Sequence, residues 1–466
     1  VRVGRGLRLR GLRPRGLRGL CALVRGLLAG ALGAPAGPRA AAAGEPPALP
    51  APPPAAAQDL KAQLLAGQQA FALELYARLP GDGRSNVVLS PHSVHQALAL
   101  ARVGARGETA AQLDRVLHLP GADLEAAWRE PGSAAGEAAR ALLAAWQRLG
   151  QRLGSAPAVR DPVREGGTQP AYTLSVANAL WGQDGYPFVP GCLDALELSF
   201  GTPLHVVDFR AGPAVREAIN GWVAQRTRDK IKDLVPEGLP TPDTRLVLVN
   251  AIHLLAAWSE AFPEGATRPA PFRLAAGGEV EVPMMRRQGR LRCFEEGDAR
   301  VAVLPCQGGA VELWLVLPRD PSPAALPAVE QALTPGRLAA WAARPERRQV
   351  DLALPRLRVE QALELSAVLR ALGLADAFDP ARADFGALAA PGGEPLFVGS
   401  VLHKAYVAMD ERGLEAAAAT AVMMRTTGMP GEPPVAFACD RPFLWLARHA
   451  ATGAVLFMGR VARPQG

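Results

Sequence analysis

The sequence predicts an α+β fold, and three observations carry that expectation. Helix-like and strand-like segments are interleaved without the regular βαβ alternation of a doubly wound sheet. The stretch Val301 to Leu317 reads as two strands around Gly308-Gly309, a clear hairpin signal. The C-terminal part then returns to strand patterning, closing on Phe443 to Leu446 and Val455 to Val461.

The elements follow in order. Residues 1–58 show no sustained period: an Arg-rich start, a moderately apolar stretch from Gly19 to Ala34, and Ala/Pro-rich sequence through Ala57. That is the order of an export signal, interrupted by Arg25, and Cys21 lacks the two small residues expected before a lipidated cysteine. From Asp59, Leu60, Leu64, Leu65, Phe71, Leu73 and Tyr76 recur as on an amphipathic helix ending near Pro80-Gly81. Val87-Val88-Leu89 is a short strand, and Ser90 with Pro91 supplies the cap and first turn of a helix through Val103. A helical patch covers Ala138 to Leu149, a strand Tyr172 to Leu180, and a helix with Ile219, Trp222 and Val223 runs to about Ile231. Leu246 to Leu255 is a near-continuous apolar run, typical of a central strand covered on both faces. Beyond the hairpin come a helical segment near Ala325 to Ala343, a strand through Val350, Leu352 and Leu354, and helical patterning from Glu360 to Leu372.

With 49% hydrophobic and 20% charged residues the chain reads as soluble and globular. No apolar run reaches the ~18 residues a membrane span needs. The net charge of +7 hints at polyanions, but residues 1–58 hold nine arginines against one acid, Glu45, which leaves the body near neutral. Nucleic-acid partners are therefore not expected, and a helical patch with only Arg140, Arg148 and Arg152 offers little to a heparin-like cofactor. Cys192, Cys293, Cys306 and Cys439 form no C-x-x-C pair, which speaks against zinc. They read as small buried hydrophobes, with a Cys293–Cys306 bridge left open for an oxidising compartment.

The sequence holds no catalytic constellation of a familiar kind. There is no G-x-S-x-G elbow, P-loop or G-x-G-x-x-G. His92 and His95 are spaced i, i+3 without an acid partner, and Asp410 and Glu411 would point to opposite sides of an extended chain. His403, taken alone, is a hydrogen-bonded core histidine. No catalytic residue, metal site or cofactor is expected.

The run Asp410 to Pro434, DERGLEAAAATAVMMRTTGMPGEPP, joins charges, the alanines Ala416, Ala417, Ala418 and Ala419, and a Gly/Pro-rich exit. Such side chains can lie exposed yet enter a sheet with little steric resistance, with Leu414, Ala416, Ala418, Thr420 and Val422 on one face. An Ala-rich helix or linker is the plainer reading of the run by itself. Its surroundings are more specific. FACDRPFLWLA (Phe437 to Ala447) resembles the C-terminal signature of the serpins, and VLFMGRVARP (Val455 to Pro464) their terminal strand motif. SNVVLSPHSV (Ser85 to Val94) and GARGETAAQL (Gly104 to Leu113) resemble their N-terminal motifs. NALWG at Asn178, INGWVAQRTRDKI at Ile219, LVNAI at Leu248 and VPMM at Val282 match likewise, so the resemblance runs from roughly Leu64 to Pro464.

Residues 1–58 read as a leader from their composition, and the resemblance implies one serpin domain over 59–466, in place of the roughly three domains that length alone suggests. That domain would hold three β-sheets, eight or nine helices and an exposed reactive-centre loop. It implies a protease inhibitor and not an enzyme. A serine protease, or a cysteine protease, cleaves the loop, and the freed segment inserts into the central sheet before the acyl-enzyme hydrolyses. About ten new ladder bonds at ~0.5–1.5 kcal/mol each would supply on the order of 10 kcal/mol to deform the enzyme.

Carried over by motif position, Ser90, Ser93, Asn250 and His403 would form a hydrogen-bonded shutter under the central strands. Trp258 and Arg356 would sit at the breach at the sheet's top, with Arg356 pairing to Glu411. There Leu254-Leu255-Ala256 replaces the family's F-K-G. The hinge would comprise Glu411, Gly413, Leu414 and the alanine run. Inhibitory relatives carry Thr or Ser where Leu414 stands, which keeps a non-inhibitory binding protein or chaperone as the alternative, and a hydrolase with an unrecognised site as a third reading. Family spacing from Glu411 places the reactive bond at Thr427-Gly428, with Thr426 and Arg425 as alternatives. Met429 is excluded because Pro430 follows it. A Thr at the cut implies an elastase-like or subtilisin-like target, Arg425 a trypsin-like one. The expected protein is a monomer, secreted or extracytoplasmic.

Overall fold

Residues 54–79, 84–161, 166–390, 394–415 and 433–464 are described in the computed structural model, and all lie in the unit from Pro47 to Gly466. The leader up to residue 53, Ala416 to Ala419, and the bonds at Arg425, Thr426, Thr427 and Gly428 fall outside the described residues.

The helices are α1 (Pro54–Arg78), α2 (Pro91–Gly104), α3 (Gly107–Leu117), α4 (Ala126–Arg129), α5 (Ala134–Gly154), α6 (Pro190–Phe200), α7 (Pro213–Arg226), α8 (Leu326–Gln331), α9 (Pro335–Ala342) and α10 (Ser366–Ala371). The strands are β1 (Val87–Leu89), β2 (Ala158–Arg160), β3 (Thr168–Pro170), β4 (Tyr172–Gln183), β5 (His205–Val207), β6 (Leu246–Ala257), β7 (Arg268–Arg273), β8 (Glu279–Glu296) and β9 (Ala299–Pro305). They continue with β10 (Val311–Pro318), β11 (Arg347–Pro355), β12 (Leu357–Glu364), β13 (Val398–Met409), β14 (Gly413–Leu414), β15 (Val435–Ala438), β16 (Phe443–His449) and β17 (Val455–Val461).

Hydrogen bonding groups them into three sheets. One has six strands in the order β12-β13-β14-β6-β4-β5, the second has nine, running β1-β17-β16-β10-β9-β8-β11-β15 with β7 on β8, and β2 pairs with β3 alone. The six-stranded sheet is covered on both faces, as the apolar run in β6 requires. Val247 and Val249 pack with Ile219 and Val223 of α7. Leu246 and Leu248 face the helical cluster of α1, α2 and α5, while Ile252 and Leu254 meet Leu313, Phe443 and Trp445 of the nine-stranded sheet.

Several sequence expectations need correction. Residues 357–364 are strand β12 and not helix, because this segment pairs antiparallel along β13 from Leu357 opposite Met409 to Glu364 opposite Leu402; only Ser366–Ala371 is helical. The helix through Ile219 stops at Arg226, where Thr227 Oγ1 accepts from the Ile231 N–H at 3.2 Å and the chain turns through Arg228 and Asp229 at φ 53° and 59°. The segment near Ala325 to Ala343 is two helices, since the Thr334 hydroxyl caps α9 on the Arg337 N–H at 3.1 Å and Pro335 has no N–H to continue α8. That break helps bring the count to ten α-helices among the described residues. Cys293 and Cys306 are both buried and unbridged, as are Cys192 and Cys439.

Candidate functional site

The site is built where β6 and β13 run parallel, Leu246–Ile252 against Val398–Ala405, with Asn250 opposite His403. On the other flank of β6, Asn178 of β4 also stands opposite Asn250. The first turn of α2 brings Ser90 and Ser93 against these three residues. The Ser90 N–H donates to His403 Nε2 at 3.1 Å, which leaves Nδ1 to carry the proton and donate to Asn250 Oδ1. Asn250 Nδ2 donates to Ser93 Oγ and to Asn178 Oδ1, and Ser93 Oγ donates to Asn178 Oδ1 at 3.0 Å. The Ser90 hydroxyl reaches the Leu456 carbonyl of β17 at 2.5 Å. Burial pushes the His403 pKa down to about 3, so the ring is neutral and can both donate and accept. A satisfied polar network of this kind rivets β4, β6, β13 and α2 together in an otherwise apolar interior.

Above it, Glu411 gathers the base of the loop. Its carboxylate accepts from Arg356 Nε at 2.8 and 3.0 Å and from Thr267 Oγ1 at 2.5 Å. Burial raises the Glu411 pKa, but the hydrogen bonds from Arg356 and Thr267 outweigh it and hold the carboxyl below its ordinary value. Trp258 Nε1 donates to the Asp410 carbonyl at 2.9 Å, and the Trp258 N–H donates to the Arg412 carbonyl at 2.9 Å. Through Ala256, 2% exposed, β6 remains regular where the family motif is replaced.

Gly413 and Leu414, expected at the hinge, form β14, wedged between these strands. Gly413 lies opposite Ala257 and Leu414 opposite Ala256 on β6, while Leu414 also pairs with Met409 on β13. A Cβ on Gly413 would lie 2.3 Å from the Ala256 carbonyl oxygen, so only glycine fits. Leu414 is 2% exposed, inside the apolar cluster that holds Ala256, Trp258 and Met409. Glu415 turns the chain with φ 46°, and its carboxylate accepts from Lys230 Nζ and from His253 Nε2.

Nothing here resembles a reaction centre. His92 and His95 are buried, pushed by desolvation to about 3 and about 4, and the described residues contain no group of metal-ligating side chains. Among the described residues no helix is long and apolar enough to cross a membrane.

The profile of one protein family, serpin (serine protease inhibitor), matches residues 66–464. The chain belongs to the serpin family. It is 34% identical over 412 residues to the leukocyte elastase inhibitor of Sus scrofa, covering 86% of this chain and 100% of that one. It is 35% identical over 398 residues to an uncharacterized serpin-like protein of Thermococcus kodakarensis, covering 85% and 84%. Uncleaved ovalbumin superposes with a TM-score of 0.69 at 25% identity, over 86% of this chain and all of that one. This serpin is a protease inhibitor and not a catalytic enzyme.

Sequence reasoning missed several contributors. Asn178 was visible in NALWG, yet its meeting with Asn250 depends on strand register. Thr267, Lys230 and His253 carry no motif, and their partners lie 144, 185 and 162 residues away.

Proposed function

We propose that this serpin inhibits a serine protease of elastase-like or subtilisin-like specificity as a suicide substrate, cut at Thr427-Gly428 or at a neighbouring bond. The protease serine attacks the scissile carbonyl, the amide breaks, and the new amine leaves with a proton. The ester that remains is trapped if the loop enters the sheet before water arrives. One observation carries the reading: Gly413 and Leu414 already lie between β6 and β13 in the intact chain, with the Leu414 side chain 2% exposed. The bulk of Leu414, the reason for weighing a non-inhibitory binding protein, is therefore accommodated before any cut. Relatives named leukocyte elastase inhibitor support the class of target. A secreted or extracytoplasmic monomer remains part of the proposal, the location resting on the Arg-rich leader.

Incubation with a panel of serine proteases tests it. The expected result is a denaturant-resistant covalent complex with an elastase-like or subtilisin-like member. Loop cleavage with release of fully active protease across the panel overturns inhibition, and leaves a binding protein or chaperone on the same fold.

A further inference from the structure

The end of the β6–β13 seam remote from β14 carries a pocket of about 270 Å³. β6 and β13 begin to pair at Leu246 and Val398, and Arg245 and Glu394 lie just before them in the chain. Arg245 Nε donates to Glu394 Oε2 at 2.8 Å, so an ion pair joins the two strands where they start. Arg245 Nη1 donates to the carbonyls of Pro242 at 3.0 Å and Thr244 at 3.2 Å, which fixes this wall. The facing wall is the turn that leaves β4, Asp184 to Pro187. The Asp184 N–H donates to the Val207 carbonyl at 2.8 Å, and Gln183 Nε2 donates to Asp208 Oδ1 at 3.1 Å. Those bonds bring Arg210 to the rim of the same pocket.

Two of the three carboxylates here are matched, Glu394 with Arg245 and Asp208 with Arg210 Nε at 2.8 Å. Asp184 is exposed and forms no ion pair among the described residues, and the terminal nitrogens of Arg210 make no hydrogen bond among them. The carboxylates of Asp208 and then Asp184 push the Arg210 pKa up, so the Asp184 charge lies close to that guanidinium. Pro187, Pro242 and the Tyr186 ring supply the apolar part of the lining. The Tyr186 hydroxyl is buried beside Arg245 yet meets no partner in hydrogen-bond geometry.

We propose that this pocket binds a free α-amino acid with an apolar side chain. The ligand's ammonium pairs with Asp184 and its carboxylate with the Nη groups of Arg210, while its side chain covers Pro187, Pro242 and Tyr186. A bare anion would meet Asp184 and Glu394, and a bare cation would meet Arg210 and Arg245, so a dipolar head group is the one that satisfies both signs. The volume falls below that of sites for drug-sized ligands, which suits a single amino acid. A ligand seated against Arg245, Glu394 and the β4 turn also holds the foot of the seam together. It therefore favours the closed sheet over the parted one. This coupling rests on the proposed insertion mechanism, whereas binding to the intact chain does not.

The test titrates the full chain with L-leucine, followed by NMR of the ligand. Saturable binding is expected with Kd on the order of 1 mM, as suits a small ligand at an open pocket. Two analogues, 4-methylpentanoate without the ammonium and 3-methylbutylamine without the carboxylate, should each bind at least tenfold more weakly to the unaltered protein. Asp184→Asn and Arg210→Gln, both at exposed positions, should each weaken leucine at least tenfold. No saturable binding by about 10 mM leucine overturns the site. Either analogue binding as tightly as leucine overturns the dipolar ligand. The loop-cleaved form should bind leucine at least tenfold more weakly than the intact chain. A cleaved form that melts higher than the intact chain, showing that insertion has occurred, yet binds leucine equally well overturns the coupling.

Discussion

His403 of β13 and Asn250 of β6 are register partners, and the hydrogen bond from His403 Nδ1 to Asn250 Oδ1 crosses the seam between the two strands. A loop segment that enters below Leu414 must part those strands, so this bond resists the opening that inhibition requires. The seam is closed over Val398–Ala405 and already occupied by Gly413–Leu414 at its upper end. The intact chain thus holds a wedge at one end of the gap and a rivet further down.

Asn250→Ala should weaken the rivet. It strips partners from His403 and Asn178 in the sheet and from Ser93 of α2, at a cost of about 1–3 kcal/mol. The melting temperature of the intact protein should fall, whereas the loop-cleaved form, in which the strands have parted, should lose much less. Equal losses in the two forms would place the bond's role elsewhere.

Leu414→Arg should eject the wedge. The side chain lies at 2% exposure among apolar neighbours, so an arginine there meets an unpaired buried charge and the hinge withdraws. The variant should behave as a substrate, with the stoichiometry of inhibition rising at least tenfold and active protease recovered. Complex formation as efficient as in the unaltered chain would mean that insertion is not limited at this position.

Acid should destabilise this protein earlier than its carboxylates alone would. Burial lowers His92 to about 3, His95 to about 4 and His403 to about 3 from an ordinary 6.5. As pH falls through 6.5 the unfolded chain takes up these protons while the folded chain does not, so stability is lost from there down to the folded values. Each group contributes about 1.4 kcal/mol per pH unit, about 4 for the three together. Glu411, held below 4.5, adds its own loss only at lower pH. Thermal melts should shift down on the order of 10 °C between pH 7 and pH 5; a flat profile over that range would show that the three rings are protonated in the fold.

How much of this was legible in the sequence differs from place to place for physical reasons. β6 was readable because a strand buried on both faces is apolar at nearly every position, and α2 because Ser90 and Pro91 announce a helix start. β12 was misread because Glu360, Gln361, Ala362, Leu363 and Glu364 are good helix formers, overruled by pairing along β13. The 18-residue strand β8 went unseen because its alternation is carried by arginines as much as by apolar residues. The pairing of Arg356 with Glu411 followed from family position, whereas the grip of Lys230 and His253 on Glu415 is purely tertiary and leaves no local signal.

The last prediction concerns the scissile bond. Counting from Glu411, whose place is fixed by Arg356 and Thr267, makes Thr427 the seventeenth residue and puts the cut at Thr427-Gly428. The alternatives Thr426 and Arg425 follow from loops one or two residues shorter. Met429 stays excluded because the Pro430 nitrogen carries no hydrogen and its φ is fixed. A Thr at the cut suits a small, shallow primary pocket, which agrees with the elastase inhibitors among the relatives; Arg425 would demand a pocket with a buried acid. Mass spectrometry of the C-terminal peptide freed from the covalent complex decides between them. A peptide beginning at Gly428 is expected with an elastase-like enzyme. One beginning at Thr426, formed with a trypsin-like enzyme alone, would move the bond to Arg425 and change the target class with it.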